Sequence, residues 1–392
     1  MSTTEQLGPA LDIDARLTVI ERTANPLVHV TPVNAQDAWS DFERSDFGIP
    51  PTLRLRPLEF EPDQLRRDLY DLRVEDVTDP ALHALFRAKR DEIARQVTAL
   101  EDRDTSRFVY GSLQLYGSVS ESLAQAAEDL LEAIPPQVPN TRTVTAGVFA
   151  EAARAEFDRY RAVYPDFPVR VDVRDDISEL MVSFGRLLIP ESAVFGADRV
   201  EALLHHEVGT HVVTYQNGAR QPLQLLTVGL PGYDETQEGL AVLAEYLVGG
   251  LDPRRLRVLA ARVLAVGRML DGADFLDIFG WLRAEHGIPA RTAWSIAIRV
   301  VVGGGSVKDA IYLRGITRIL DALAEGSRLD VLFVGKLALD HVPLIQDLLD
   351  RGVLVEPWIR PRWLDVPGAR ERLDRLRAGA SVTDLYDGGV PA

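Results

Sequence analysis

Three of the seven histidines of this 392-residue chain fall in ALLHHEVGTHVVTY, residues 202 to 215. Glu207 follows His206 directly, and His211 comes five places after His206. Two imidazoles with a carboxylate beside them are the parts of a hydrolytic metal site, in which the rings hold the ion and the acid takes a proton from water. The familiar short form is H-E-x-x-H, and here the gap is one residue longer. In a regular α-helix each residue turns by about 100°, so His206 and His211 would point about 140° apart and could not share an ion. One π-type turn absorbs the extra residue and returns both rings to one face, and such turns concentrate at functional sites. Gly209, between the two histidines, offers a place where distorted backbone meets no Cβ.

The chain has no cysteine, which excludes disulfides and thiolate ligands and leaves His, Asp or Glu as the third ligand. Glu238, in YDETQEGLAVLAEYL, is the candidate. Asp234 and Gln237 form a capping signature that puts Glu238 in the first turn of a helix. A helix, a loop and an antiparallel return helix suit the separation from His211, as in gluzincin peptidases. Glu245 lies two turns beyond Glu238 and could either hold a ligand imidazole or be a solvated charge. His205 points to another face and reads as structural.

The metal helix has its own signals. Asp198 with Glu201 forms a capping box, so the helix is expected from about Arg199. Val200, Leu203, Leu204, Val208 and Val212 recur at helical spacing, and Asn217-Gly218 reads as a left-handed stop. Upstream, PVRVDV and ELMVSFGRLLIP read as short strands, the second a hairpin turning near Gly185. That hairpin offers an edge on which an extended peptide can add as a further strand. The first third is helical by periodicity, beginning with LDIDARLTVIERTANPL, which stops before Pro26. IPPQVPNTRTV, residues 134 to 144, holds three prolines and marks a boundary. The expected division is a mainly helical region over 1–134, a metallopeptidase core with a C-terminal helical array over 145–365, and a helix with a tail over 366–392. The fold class is therefore α+β, mostly α, with a gluzincin-like core of a small sheet, an active-site helix pair and additional helices.

With 43 basic and 59 acidic side chains the net charge is −16, which argues against nucleic acid as a partner. No run approaches the roughly 18 apolar residues of a membrane span, and the first residues do not have the pattern of a signal peptide. A cytoplasmic location is expected. Nothing in the sequence sets the oligomeric state.

LLHHEVGTH, NGARQPLQLLTVGLPGYDETQEGLAVLAEYLVGG, KDAIYLRG and SRFVYGSLQLYGS together resemble the QEGLA-motif family. This bacterial group has been labelled as of unknown function or as flavohemoglobin expression-modulating proteins. It is related to the animal microtubule-associated tyrosine carboxypeptidases. The resemblance covers about residues 15 to 365. It implies a metallopeptidase with one Zn2+ held by His206, His211 and Glu238, and with Glu207 as the base. Dipeptidyl peptidase III is another peptidase with the longer H-E-x-x-x-H spacing. The tubulin tail that the animal enzymes trim is not carried over, because an acidic tail would be repelled by a chain of net charge −16.

The expected partner is a peptide or protein substrate, its C-terminus being one candidate point of attack, and the sequence leaves exo- and endopeptidase open. A carboxypeptidase needs a fixed cation for the terminal carboxylate, and Arg314 in VKDAIYLRGITRIL is the candidate, with Lys308 beside it and Tyr312 as an oxyanion donor. The competing reading pairs Arg314 with a nearby carboxylate. Gly303-Gly304-Gly305 lacks the G-K-[ST] ending of a phosphate loop. Trp281, Trp294, Trp358 and Trp363 read as packing residues. Two rival functions remain: a zinc-binding regulatory protein without hydrolytic activity, and a metal-free helical interaction module.

Overall fold

A computed structural model describes residues 8–137, 141–177 and 179–386. The extreme ends of the chain, and part of the proline-rich stretch, lie outside the described residues. The chain is mostly helical with two small sheets, and among the described residues no helix is long and apolar enough to cross a membrane.

Four helices of the N-terminal third matter below: α1 (Gly8–Ala24), α2 (Pro80–Asp102), α3 (Phe108–Tyr116) and α4 (Glu121–Ala133). α1 ends where Asn25 turns left-handed at φ 34° ahead of Pro26, a conformation Asn tolerates better than most residues. Next come β1 (Thr143–Thr145), α5 (Ala146–Val163), β2 (Val171–Arg174), β3 (Met181–Ser183), β4 (Arg186–Pro190) and β5 (Val194–Gly196). β4 is central, parallel to β2 and antiparallel to β3. Phe184 and Gly185 have φ of 47° and 71°, the pair of positive values that a tight hairpin turn requires. β3 is left as an outer edge.

The metal helix, α6, has three stretches: α-helical Val200–His206, π-helical Glu207–Val212 and α-helical Val213–Gly218. After it run α7 (Tyr233–Leu247), α8 (Pro253–Leu270), α9 (Phe275–Ala284), α10 (Ala290–Val301), α11 (Ile311–Ala324), α12 (Val342–Asp350) and α13 (Ala369–Arg377). Leu187 and Ile189 of β4 bury with Phe149 and Phe157 of α5 and Val208 and Val212 of α6. The sheet thus packs on the metal helix. A larger apolar cluster joins α1 and α2 to α7, α8, α10, α11 and α13.

Two expected helix ends differ. Arg199, not Asp198, occupies the N-cap of α6, and Asp198 turns to pair with Arg254. Gly218 stays helical, with Ala219 at the C-cap. A Cβ on Gly218 would come 2.3 Å from the Leu226 carbonyl oxygen, so the glycine serves close packing and not a left-handed stop. Asn217 hydrogen-bonds Ile359, accepting from its N–H and donating to its carbonyl, at 2.9 Å each.

Carboxylates from the N-terminal helices hold the connection between α6 and α7. Asp14 accepts the backbone N–H groups of Gln224 at 2.5 Å and Leu225 at 3.1 Å. Glu92 accepts the N–H of Gly232 at 2.8 Å, at the start of α7. Glu92 is itself held by fully buried Lys89 at 2.7 Å, which reaches Glu21 at 3.1 Å. Removing one member would leave an unbalanced buried charge.

Burial raises Asp14 to about 7, and its two N–H bonds only partly offset that. The folded state therefore keeps a proton that the unfolded chain releases near pH 4, and stability falls as pH rises from about 4 to about 7. Asp14→Asn is expected to gain on the wild type across that window. Urea midpoints at pH 4.5 and pH 8 test this; a difference that does not grow with pH contradicts it.

Candidate metal centre

The lengthened motif works through its π-helical stretch. Glu207–Val212 is wound wider than an α-helix, so one residue is accommodated without breaking the helix. His206 and His211 then face each other with ring centroids 5.2 Å apart. Widening a turn redirects carbonyls that an α-helix would satisfy. The buried indole of Trp363 donates to one of them, the Gly209 carbonyl, at 3.1 Å. A Cβ on residue 209 would sit 2.8 Å from Trp363 Cδ1. Gly209 is thus required by the indole packed against it, and its φ is not among the positive values of the chain. Trp363 reads from the sequence as a packing residue; its partner is 154 positions away, so no local pattern shows this role.

The partner helix is set by another pair of glycines. A Cβ on Gly239 would lie 2.4 Å from the Gly315 carbonyl carbon, and a Cβ on Gly315 would lie 2.1 Å from the Glu235 carbonyl oxygen. α7 and α11 therefore meet backbone to backbone, which fixes Glu238 of α7 beside Tyr312 of α11. The expected cap of α7 is absent. Gly232 is its left-handed N-cap at φ 69°, Asp234 pairs with Lys308 at 2.5 Å, and Gln237 lies 2.8 Å from the Thr214 hydroxyl of α6. Glu238 consequently sits in the second turn, not the first.

His206, His211 and Glu238 each offer a ligand atom, all within 4.8 Å of one another. Glu238 Oε2 lies 3.6 Å from His206 Nε2 and 3.9 Å from His211 Nε2. These separations are too long for hydrogen bonds, and Oε2 is buried with no hydrogen-bond partner. Donors around a tetrahedral zinc at 2.0–2.1 Å stand about 3.3 Å apart, so modest closure around an ion would satisfy all three. Glu245 is fully buried, 2.8 Å from His206 Nδ1, which leaves Nε2 directed toward the other two donors. Arg199 and Arg255 hold Glu245 from behind.

Charge is dense here. Burial pushes Glu207 up to about 7 and His211 down to about 4. Burial also works against a charged His206, but Glu238 and Glu245 outweigh it and raise the ring to about 9. Desolvation opposes ionisation of Glu238 and Glu245 too, yet the histidines and arginines hold both well below the usual carboxylate range. Glu207, 8% exposed, opens with His206 and Tyr312 onto a cleft of about 450 Å³.

The other substrate candidates are placed elsewhere. Lys308 is tied to Asp234 and lines a separate cavity with Tyr116 and Lys336. Arg314 pairs with Glu235 and donates to the carbonyls of Tyr116 and Ser118. Of the three, only Tyr312 shares the cleft of His206 and Glu207. His205 is buried against another face, its nearest carboxylate Glu201 at 3.9 Å.

A family model described as microtubule-associated tyrosine carboxypeptidase matches residues 40–381. The chain belongs to that family. The match spans α2 through α13 and includes every residue of the centre. No curated protein matches the chain.

The π-helical turn of this family member yields a stability test. Gly209→Ala forces a methyl into the Trp363 ring and is expected to cost about 1–3 kcal/mol. Trp363→Phe strands a buried carbonyl at a similar cost of about 1–3 kcal/mol. Denaturant unfolding measures both; wild-type midpoints for the pair would show that the indole does not brace the turn.

Proposed function

We propose that the chain is a zinc-dependent carboxypeptidase of the H-E-x-x-x-H type with a gluzincin-like core. The observation that carries this reading is the approach of three donors across the lengthened spacing, with Glu207 opening beside His206 onto one cleft. The all-nitrogen-and-oxygen donor set of two imidazoles and a carboxylate matches catalytic zinc, which keeps one position open. A purely structural site has no use for a carboxylate beside its ligands.

The ion supplies Lewis-acid polarisation of the scissile carbonyl and lowers the pKa of water beside it. Glu207, opening on the cleft beside His206, would hold the proton of an attacking water on its carboxylate and return it to the nitrogen of the departing amine as the C–N bond breaks. Its burial-raised affinity for protons, near neutrality, suits both halves of the transfer. Tyr312 stays protonated because burial and Glu238 raise it well above the ordinary phenol value. Its hydroxyl donates to the carbonyl oxygen as that atom gains charge. Glu245 fixes the tautomer of His206 by accepting from Nδ1. Edge strand β3, whose Met181 and Ser183 flank the neighbouring cavities, aligns an extended peptide by main-chain hydrogen bonds. The family name makes a C-terminal tyrosine the first residue to test as leaving group.

Glu207→Gln is expected to keep one zinc per chain by elemental analysis and to lose peptide hydrolysis by about 10²–10⁴-fold. His211→Ala and Glu238→Ala are expected to lose zinc as well as activity. Release of tyrosine from a synthetic peptide, followed by mass spectrometry with and without a chelator, is the assay. Hydrolysis that survives Glu207→Gln rejects the assignment of the base. Purified protein without stoichiometric zinc rejects the metal centre.

A further inference from the structure

The cleft beside Glu207 carries five arginines, Arg199, Arg254, Arg255, Arg262 and Arg299, in a chain of net charge −16. Three are committed to protein partners. Arg299 forks onto Asp309 at 2.7 to 3.1 Å and onto Glu179 at 2.8 and 2.9 Å. Arg254 pairs with Asp198 and Asp252, and Arg199 with Glu245 and the Gly250 carbonyl.

Arg255 and Arg262 make only longer ion pairs. Arg255 reaches Glu245 only at 3.4 Å. Arg262 Nε lies 3.5 Å from Asp309 Oδ2, an oxygen that already accepts from Arg299 at 2.8 Å. The Nε of each is buried without a hydrogen-bond partner. Their positions on α8 are seven residues apart, which puts them on one face. Both guanidinium groups lie against the ring of Tyr312, at 5.8 and 5.0 Å from its centroid. Two neighbouring cations with unfilled buried donors are a costly arrangement unless an anion completes them. A planar acceptor with two oxygens matches the guanidinium fork.

We propose that Arg255 and Arg262, flanking Tyr312, bind the free α-carboxylate of the residue to be removed from the substrate. This rests on the peptidase reading for its placement next to the scissile bond. The pair shares the cleft with His206, Glu207 and Tyr312, which puts a carboxylate held there on the same side of the fold as the base. Arg314, the sequence candidate for this role, lines a different cavity and has its donors filled by Glu235, Tyr116 and Ser118. The subsite explains removal of single C-terminal residues: an internal peptide bond offers no anion at that distance.

Binding tests this without turnover. In the full-length, zinc-loaded Glu207→Gln protein, the affinities of fluorescein-labelled Ala-Ala-Ala-Tyr with a free carboxylate and of the same peptide as its C-terminal amide are compared by fluorescence polarisation. The acid is expected to bind roughly ten- to a hundredfold more tightly than the amide. Adding Arg255→Ala or Arg262→Ala is expected to remove most of that ratio, and Arg314→Lys to leave it unchanged. The ratio is internal to each protein, so partial misfolding affects both peptides alike. Arg255→Lys and Arg262→Lys, which keep charge but lose the fork, serve where an alanine variant does not fold, and are also expected to lower the ratio. Equal binding of acid and amide, a ratio that survives both replacements, or one lost in Arg314→Lys overturns the proposal. Discrimination in binding without any hydrolysis by the wild type would sink the peptidase reading and leave the subsite standing. Equal hydrolysis of acid and amide would do the reverse.

Discussion

An α-helix cannot bring residues five apart to one point, and this chain meets that constraint by winding six residues of α6 as a π-helix. The wide turn depends on tertiary support. Trp363 fills the backbone bond it leaves open at Gly209, and Leu187 and Ile189 of the sheet bury with Val208 and Val212. His206 and His211 are therefore oriented by residues that touch neither ring. The same logic explains Gly209, Gly239 and Gly315: each is small because another part of the chain occupies the volume of a side chain. Local backbone strain is not the reason for any of the three.

Placing the third donor is a separate problem, because Glu238 arrives on a different helix after a long connection. Backbone contact between α7 and α11 sets the helix sideways, and the Gly232 N–H bound to Glu92 sets its start. Glu92 belongs to a buried triad with Lys89 and Glu21, so the N-terminal helices position the centre although they supply no ligand. Such a triad adds little net stability, since desolvation offsets most of its attraction, but losing one member would leave a buried charge unpaired. Glu245 acts over a shorter range, converting His206 into a ring whose Nε2 is presented and whose Nδ1 is satisfied.

Much of this was legible in the sequence. The helical periodicity, the hairpin at Gly185 and the three donors that come together are local patterns, or pairs of local patterns. The helix starts were misread for one shared reason. Asp198, Asp234 and Gln237 have the side chains and spacing of caps, but in the folded chain they face Arg254, Lys308 and Thr214. A side-chain partner brought in by the tertiary fold competes successfully with a backbone N–H, and sequence spacing carries no information about it. Arg314 failed as a clamp for the same reason, because Glu235 and two carbonyls reach it first. The roles of Trp363, Arg255 and Arg262 depend on partners far away in sequence and have no local signature.

Charge balance links the centre to its cleft. Glu207, Glu238 and Glu245 would together place three negative charges in a buried volume, against the guanidinium groups of Arg199 and Arg255 behind Glu245. Without an ion this leaves an acidic site, which shows in the upward shift of His206. A divalent cation reverses the local sign. With an ion bound, the cleft would offer Arg255 and Arg262 to a substrate, in a protein whose overall charge would repel an acidic peptide. Attraction at close range and repulsion at long range act at different distances, because exposed charges are screened beyond about 10 Å at ordinary ionic strength while buried ones are not. Selection for a free carboxylate can therefore reside in the cleft alone, without any general affinity of the surface for anions.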